Sequence, residues 1–311
     1  MAKNKVQCQK GVSLNDFIMK YGTEEQCFDA LYAWRWPDGY QCPNCGHNKG
    51  CRLKTRKLQQ CYRCHHQCSM TANTIFQSTK LPLTAWFQGI YLISQDKKGI
   101  SALALQRYLG ISYNAAWRMK HKLMQVMLER DNQHKLSGFI ELDDAYLGGE
   151  RSGGKVGRGA EGKTPFVAAV ETTNNGQPVR VKLSVVDGFR KKTIAAWCQQ
   201  HIEANSTITS DGLACFNAVS DAGCHHDRIV CGGGRASVEK AEFFWVNTVL
   251  GNLKSALRST YHAVRAKYAQ RYLSEFQYRF NRRFDLTSFI PRLMYVSLRT
   301  PPMPERLLRL A

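Results

Sequence analysis

Two CxxC pairs constrain this chain more than any other feature: CPNC at residues 42–45 and CYRC at 61–64, with 15 residues between them. Two such knuckles can fold over one ion and offer four thiolates at ~2.3 Å around a tetrahedral Zn²⁺. Cys42, Cys45, Cys61 and Cys64 are therefore the expected ligands of a structural zinc, which staples a segment too short to build its own core. A redox role would need a βαβ setting that the flanking sequence lacks. Cys51, His65, His66 and Cys68 are spare donors, and Cys68 could stand in for Cys64. Arg52, Lys54, Arg56, Lys57 and Arg63 make this ribbon basic. It is a candidate nucleic-acid contact, with a protein-binding ribbon as the alternative.

The basic excess extends beyond the ribbon. Of 311 residues, 44 are Lys or Arg and 24 are Asp or Glu, a net charge of +20. That balance points to a polyanionic partner, double-stranded DNA first, with a merely basic soluble protein as the alternative. The N-terminal MAKNKVQCQKGVSLNDF carries no apolar signal core, and no run approaches the ~18 apolar residues of a membrane span. The expectation is a cytoplasmic, nucleoid-associated protein with no membrane partner. In a reducing compartment, 12 cysteines read as ligands and buried thiols rather than disulfides.

Hydrophobic periodicity divides the chain into five stretches. Residues 1–40 are helical, with Phe17, Ile18, Tyr21, Phe28, Leu31 and Trp34 as the apolar face, closed by the Pro37-Asp38-Gly39 turn. The ribbon occupies 41–70. A helical region follows over 80–130, then a short linker, DNQHKLS (131–137). An α/β domain spans 138–290 and a tail 291–311. Within 99–124, GISALALQRYLGISYNAAWRMKHKLM reads as two helices about Gly110, with Ser112 as N-cap of the second. That second helix would present Tyr113, Asn114, Arg118, Lys120, His121 and Lys122. A DNA-binding helix-turn-helix and an ordinary helical hairpin with a basic face both fit, and the ribbon before it favours DNA.

Past residue 138, GFIELDDAYL, TPFVAAVETT and VRVKLSVVDG read as strands, RKKTIAAWCQQHIEAN as a helix, TITSD and RIVCG as strands, and 239–286 as almost continuous helix. The Gly-rich GGERSGGKVGRGAEGK (148–163) lacks a phosphate-loop pattern and reads as a mobile basic loop. Asp143 lies in an apolar strand and shares a face with Glu141 by the period of two, while Asp144 points to the other face. Asp211 ends a strand just before Gly212. Two such carboxylates can hold hard divalent cations, as two-metal phosphoryl-transfer sites do. A surface Asp143 and a helix-capping Asp211 are the alternative.

Three strands, a helix, a strand and a later long helix is the element order of an RNase H-like fold. With the ribbon, ELDDAYLGG, SDG, WVNTVLGNLKSALRSTYHAV and YLSEFQYRFNRR, the chain resembles zinc-ribbon insertion-sequence transposases of the DDE class. It resembles most the bacterial and archaeal family in which Asn often replaces the third acid, with a Lys seven residues on. The resemblance covers roughly residues 20–285. It implies Asp143, Asp211 and Asn247 as a Mg²⁺ (or Mn²⁺) site with Lys254 as companion, cleavage at the element's own terminal inverted repeats, strand transfer into target DNA, and assembly of at least two copies on paired ends. The gap from Asp211 to Asn247 is 35 residues, which fits that class. Asn247, Gly251 and Lys254 share one helix face. Asn can ligate through its amide oxygen without charge, and Lys254 can sit on a phosphate. Glu239, Glu242 and Glu275 remain competing third ligands. Two rival readings are a zinc-dependent DNA-binding protein derived from an inactive transposase and a stand-alone nuclease.

Overall fold

The computed structural model describes residues 11–53, 55–148, 162–230, 241–261 and 263–309. They form two compact units: residues up to 96, 100–126 and from 283 onward in one, and 97–99 with 127–282 in the other. Most of the Gly-rich loop, 149–161, lies outside the described residues, as does Glu239.

In the first unit, α1 (Leu14–Tyr21) and α2 (Glu24–Arg35) replace the single apolar face expected over 1–40. Ser13 caps the first, and a Thr23–Gln26 capping box starts the second, so the chain breaks and restarts between them. Ile18 turns outward, 52% exposed, while Phe17, Phe28 and Leu31 are buried. Three short antiparallel strands make the ribbon: β1 (Gly50–Leu53), β2 (Leu58–Cys61) and β3 (Gln67–Ser69). Next come α3 (Leu83–Gln95), α4 (Ala102–Leu109) and α5 (Tyr113–Asn132). Gly110, at φ +63°, closes α4, and the Ser112 hydroxyl accepts from the Ala115 N–H at the start of α5, as expected.

The predicted basic face of α5 is largely absent. Ala116, Met119, Leu123, Met124, Val126 and Met127 are buried, so the helix packs on more than one side. Lys120 and His121 are buried with them. Lys120 places its amine on the Ile100 carbonyl at 2.7 Å, Lys122 reaches the Ile75 carbonyl, and His121 stacks on Trp117. Only Tyr113, Asn114 and Arg118 of the predicted set remain exposed. The C-terminal stretch is no tail: α9 (Phe289–Ser297) and α10 (Glu305–Arg309) bury Ile290, Leu293, Met294 and Leu308.

The second unit is built on a five-stranded sheet of β4 (Phe139–Leu147), β5 (Thr164–Thr172), β6 (Pro178–Val185), β7 (Thr207–Ser210) and β8 (His225–Arg228), in the order β6-β5-β4-β7-β8. The first three are antiparallel, and β7 and β8 run parallel to β4, the RNase H-like arrangement. The last strand lies earlier than expected, ending where RIVCG begins. One sheet face packs Ile140, Leu142, Val167 and Ala169 against α6 (Lys191–His201) and the short helix Ala214–Ala222. The other packs Ala145, Phe166, Ala168 and Val170 against α7 (Phe244–Thr260) and α8 (Ala269–Asn281). The helix expected over 239–286 thus breaks near Tyr261, where Tyr261, Glu275 and Arg279 crowd Gly99, at φ +85°.

Strand β6 is a sheet edge, and α8 covers it. Gln270, Gln277 and Asn281 accept from the N–H groups of Val185, Leu183 and Val181 at 2.7–2.8 Å. Side-chain amides, each donor and acceptor, therefore satisfy an edge that could otherwise pair with another chain. Asp131, expected in a linker, is 3% exposed and bonded by Arg282, Gln277 and Asn281. Among the described residues no helix is long and apolar enough to cross a membrane.

Candidate active site and zinc site

The four predicted ribbon cysteines converge. Each CxxC makes the same turn: Gly46 N–H returns to the Cys42 carbonyl and His65 N–H to the Cys61 carbonyl, with both Gly46 and His65 at positive φ. The pairs then face each other, Cys42 Sγ 3.6 Å from Cys64 Sγ and Cys45 Sγ 3.7 Å from Cys61 Sγ, all four within 4.8 Å. A tetrahedron with Zn–S near 2.3 Å has edges of about 3.8 Å, so the donor set fits Zn²⁺. The spare donors Cys51, His65, His66 and Cys68 stand outside this cluster.

The carboxylates are brought together by strand register. β4 and β7 pair in parallel from Phe139–Thr207 to Leu142–Ser210. The next residues, Asp143 and Asp211, follow the last pair on adjacent strands, and parallel partners project to the same side. Asp143 and Asp211 join a third residue, Asp144, in a group whose ligand oxygens all lie within 4.8 Å of one another. The period of two turns Asp144 to the opposite strand face, where it could only support the ligands, yet its carboxylate joins the group. On the β7 side the β4 ladder ends at Leu142–Ser210, while on the other side β4 stays paired with β5 through Leu147. Oxygen ligands at about 2.0–2.6 Å from a divalent cation lie at comparable separations.

Both predicted acids also make local bonds. The Asp143 carboxylate accepts from the Asp144 N–H at 2.8 Å, and Asp211 accepts from the Leu213 N–H at 3.0 Å. The latter is a turn bond two residues on; the following short helix takes Leu213 as its N-cap.

Asn247 lies half-buried in the first turn of α7, and Lys254 is exposed two turns on. Gly251, between them, has open space: a Cβ there would meet nothing within 4 Å. Of the competing acids, Glu242 is exposed just before α7. Glu275 is 1% exposed and accepts from the Tyr261 hydroxyl at 3.0 Å, outside the carboxylate group.

One acid that sequence reasoning left without a role is Glu141. Its carboxylate accepts from the Val246 N–H at 2.7 Å and from the Trp245 N–H, at the start of α7. Burial pushes it up to about 7, against those two N–H groups, which pull it down. The signal was present in the sequence, an acid alternating with Ile140 and Leu142 in a core strand, but its partners lie more than 100 residues away.

Residues 135–281 match the family model of the ISXO2-like transposase domain, and residues 22–67 match that of a transposase zinc-ribbon domain. Together they span more than half of the chain. The chain carries an ISXO2-like transposase domain behind a transposase zinc ribbon. Within that family's domain fall every carboxylate described above, Asn247 and Lys254, and the ribbon match takes in all four cysteines. A relative, the "Uncharacterized protein in transposable element ISH50" of Halobacterium salinarum (strain ATCC 700922 / JCM 11081 / NRC-1), is 25% identical over 223 residues, 66% of this chain and 72% of the relative. The catalytic core domain of BIV integrase covers 45% of this chain and 81% of its own at 15% identity, with a TM-score of 0.28.

Proposed function

We propose that this transposase cuts DNA at the ends of its own insertion sequence and transfers the freed strand into target DNA, in a reaction dependent on Mg²⁺ or Mn²⁺. The observation that carries the reading is the group of Asp143, Asp144 and Asp211 just past the last pair of the parallel β4–β7 ladder, within a transposase domain. A bound pair of divalent cations would activate the attacking oxygen and stabilise the leaving one. Asp143 and Asp211 hold and orient that charge, and Asp144 adds a third carboxylate. Asn247 offers an amide oxygen, and Lys254 meets a DNA phosphate as a point charge.

In the first step, water attacks the phosphorus at the element's end, the P–O3′ bond breaks, and the 3′ oxygen leaves as a hydroxyl. In the second, that hydroxyl attacks a target phosphodiester and the target's own 3′ oxygen leaves. Zinc stabilises the ribbon, and the ribbon with the exposed tip of α4 and α5 (Arg107, Tyr108, Tyr113, Asn114, Arg118) binds the terminal repeats. At least two copies assemble on paired ends, and in the cell the protein is bound to the nucleoid.

The test is incubation of purified protein with DNA carrying the element's ends, in Mg²⁺, Mn²⁺ or EDTA, beside Asp211→Ala. Metal-dependent nicking at the ends that the variant loses is the expected result. End-specific binding without cleavage in any divalent metal overturns the catalytic reading and leaves a zinc-dependent DNA-binding protein. Cutting without end preference makes it a nuclease.

A further inference from the structure

We infer that Glu141 is a positioning residue of the catalytic site: it anchors the first turn of α7, and with it Asn247, to the strand that carries Asp143. The inference rests on the reading of Asn247 given above. Helix α7 starts at Phe244 after Phe243, whose side chain caps nothing. A helix start leaves its first N–H groups without intrahelical partners, and an N-cap side chain ordinarily takes those of the second and third residues. Here those residues are Trp245 and Val246, and both N–H groups go to the Glu141 carboxylate. The cap is imported from β4.

The carboxylate also meets the positive end of the helix, where negative charge is favourable. Asn247 is the next residue after the two captured amides. Asp143 is two residues beyond Glu141 on the same face of β4. One side chain thus spans the two elements that must hold their ligands in register. Packing of Val246, Val249 and Leu250 on the sheet is non-directional, whereas two directed hydrogen bonds fix the start of α7.

A double-substitution cycle tests this: wild type, Glu141→Gln, Glu141→Ala, Asn247→Ala and the double Glu141→Ala/Asn247→Ala, each as the full zinc-loaded chain. Cleavage of element-end DNA and Mn²⁺ binding are measured on all five, with hydrogen exchange at Trp245 and Val246. Displacement of a ligand by an ångström can cost up to about 100-fold in rate, so Glu141→Ala is expected to lose on that order and to need more Mn²⁺. Glu141→Gln, which keeps one acceptor oxygen, recovers most of the loss and remains informative if the Ala variant folds poorly. In the Asn247→Ala background, Glu141→Ala costs nothing further, and exchange at Trp245 and Val246 rises.

Losses that multiply in the double variant overturn the positioning role while leaving the Asn247 reading intact. An Asn247→Ala variant that cleaves and binds Mn²⁺ like the wild type overturns the Asn247 reading, and this role with it. If the wild type cuts no DNA, the same cycle closed on Mn²⁺ affinity decides the role.

Discussion

Asp143 and Asp211 lie beside each other because Leu142 and Ser210 form the last pair of the parallel β4–β7 ladder. Asp211 therefore follows the end of β7, and Asp143 lies beside it in mid-β4, where the strand has lost its β7 partner and keeps β5. A site here costs the core nothing, because Ile140, Leu142 and Ile208 beneath it remain packed.

Asp144 should be a working member of this group. Asp144→Asn is expected to raise the Mn²⁺ half-saturation of end cleavage by about tenfold, on the basis that one lost ligand or its support costs about 10–100-fold in affinity. Unchanged metal dependence would return Asp144 to a bystander and leave Asn247 as the sole completing group.

Gly251 separates function from stability. Mid-helix glycine costs about 1 kcal/mol relative to alanine, and beyond its own helix turn a Cβ there meets none of the described residues within 4 Å. Gly251→Ala should therefore raise the melting temperature by about 2–4 °C. If a DNA strand approaches α7 between Asn247 and Lys254, cleavage falls in the same variant, and Gly251→Leu falls further. A variant that is more stable and equally active removes Gly251 from the DNA-facing surface.

Metal removal should be local. Purified protein is expected to carry one zinc per chain. Chelation or Cys45→Ala should expose the amides of residues 42–69 to hydrogen exchange, because binding energy at such a site is folding energy. The β4–β8 sheet keeps its protection. Element-end DNA binding drops with the zinc. Loss of sheet protection as well would show that the ribbon stabilises the whole chain.

His201 predicts an acid-sensitive helix α6. Burial, then Lys182 and Lys135, hold it down to about 4. A folded value below the unfolded one makes the neutral form the stable one, so its contribution is complete above about 6.5 and is lost as pH falls towards 4. At about 1.4 kcal/mol per pH unit the loss is at most about 3.5 kcal/mol, less where water reaches the ring. Hydrogen exchange of α6 amides between pH 7 and 4, corrected for intrinsic rates, should show this slope. His201→Gln should flatten it, and an equal slope in both proteins would assign the acid sensitivity elsewhere.

The sequence by itself determined what short-range periodicity and spacing can carry. The CxxC pairs specified their own cluster. Short β-type runs specified β4, β5 and β6, and Ser112 after Gly110 specified the start of α5. Tertiary structure decided what depends on distant partners. Strand parity turns Asp144 to the face opposite Asp143, but parity cannot say how near two carboxylates come, and their oxygens lie within 4.8 Å of each other and of Asp211. A basic spacing on α5 looked exposed, yet Lys120 went inward, because a long aliphatic stem can be buried once its amine finds a carbonyl, and His121 went inward stacked on Trp117. Glu141 had no role until the start of α7 came within reach of it. Periodicity fixes the face to which a side chain points, and only the assembled sheet and helices fix what it meets there.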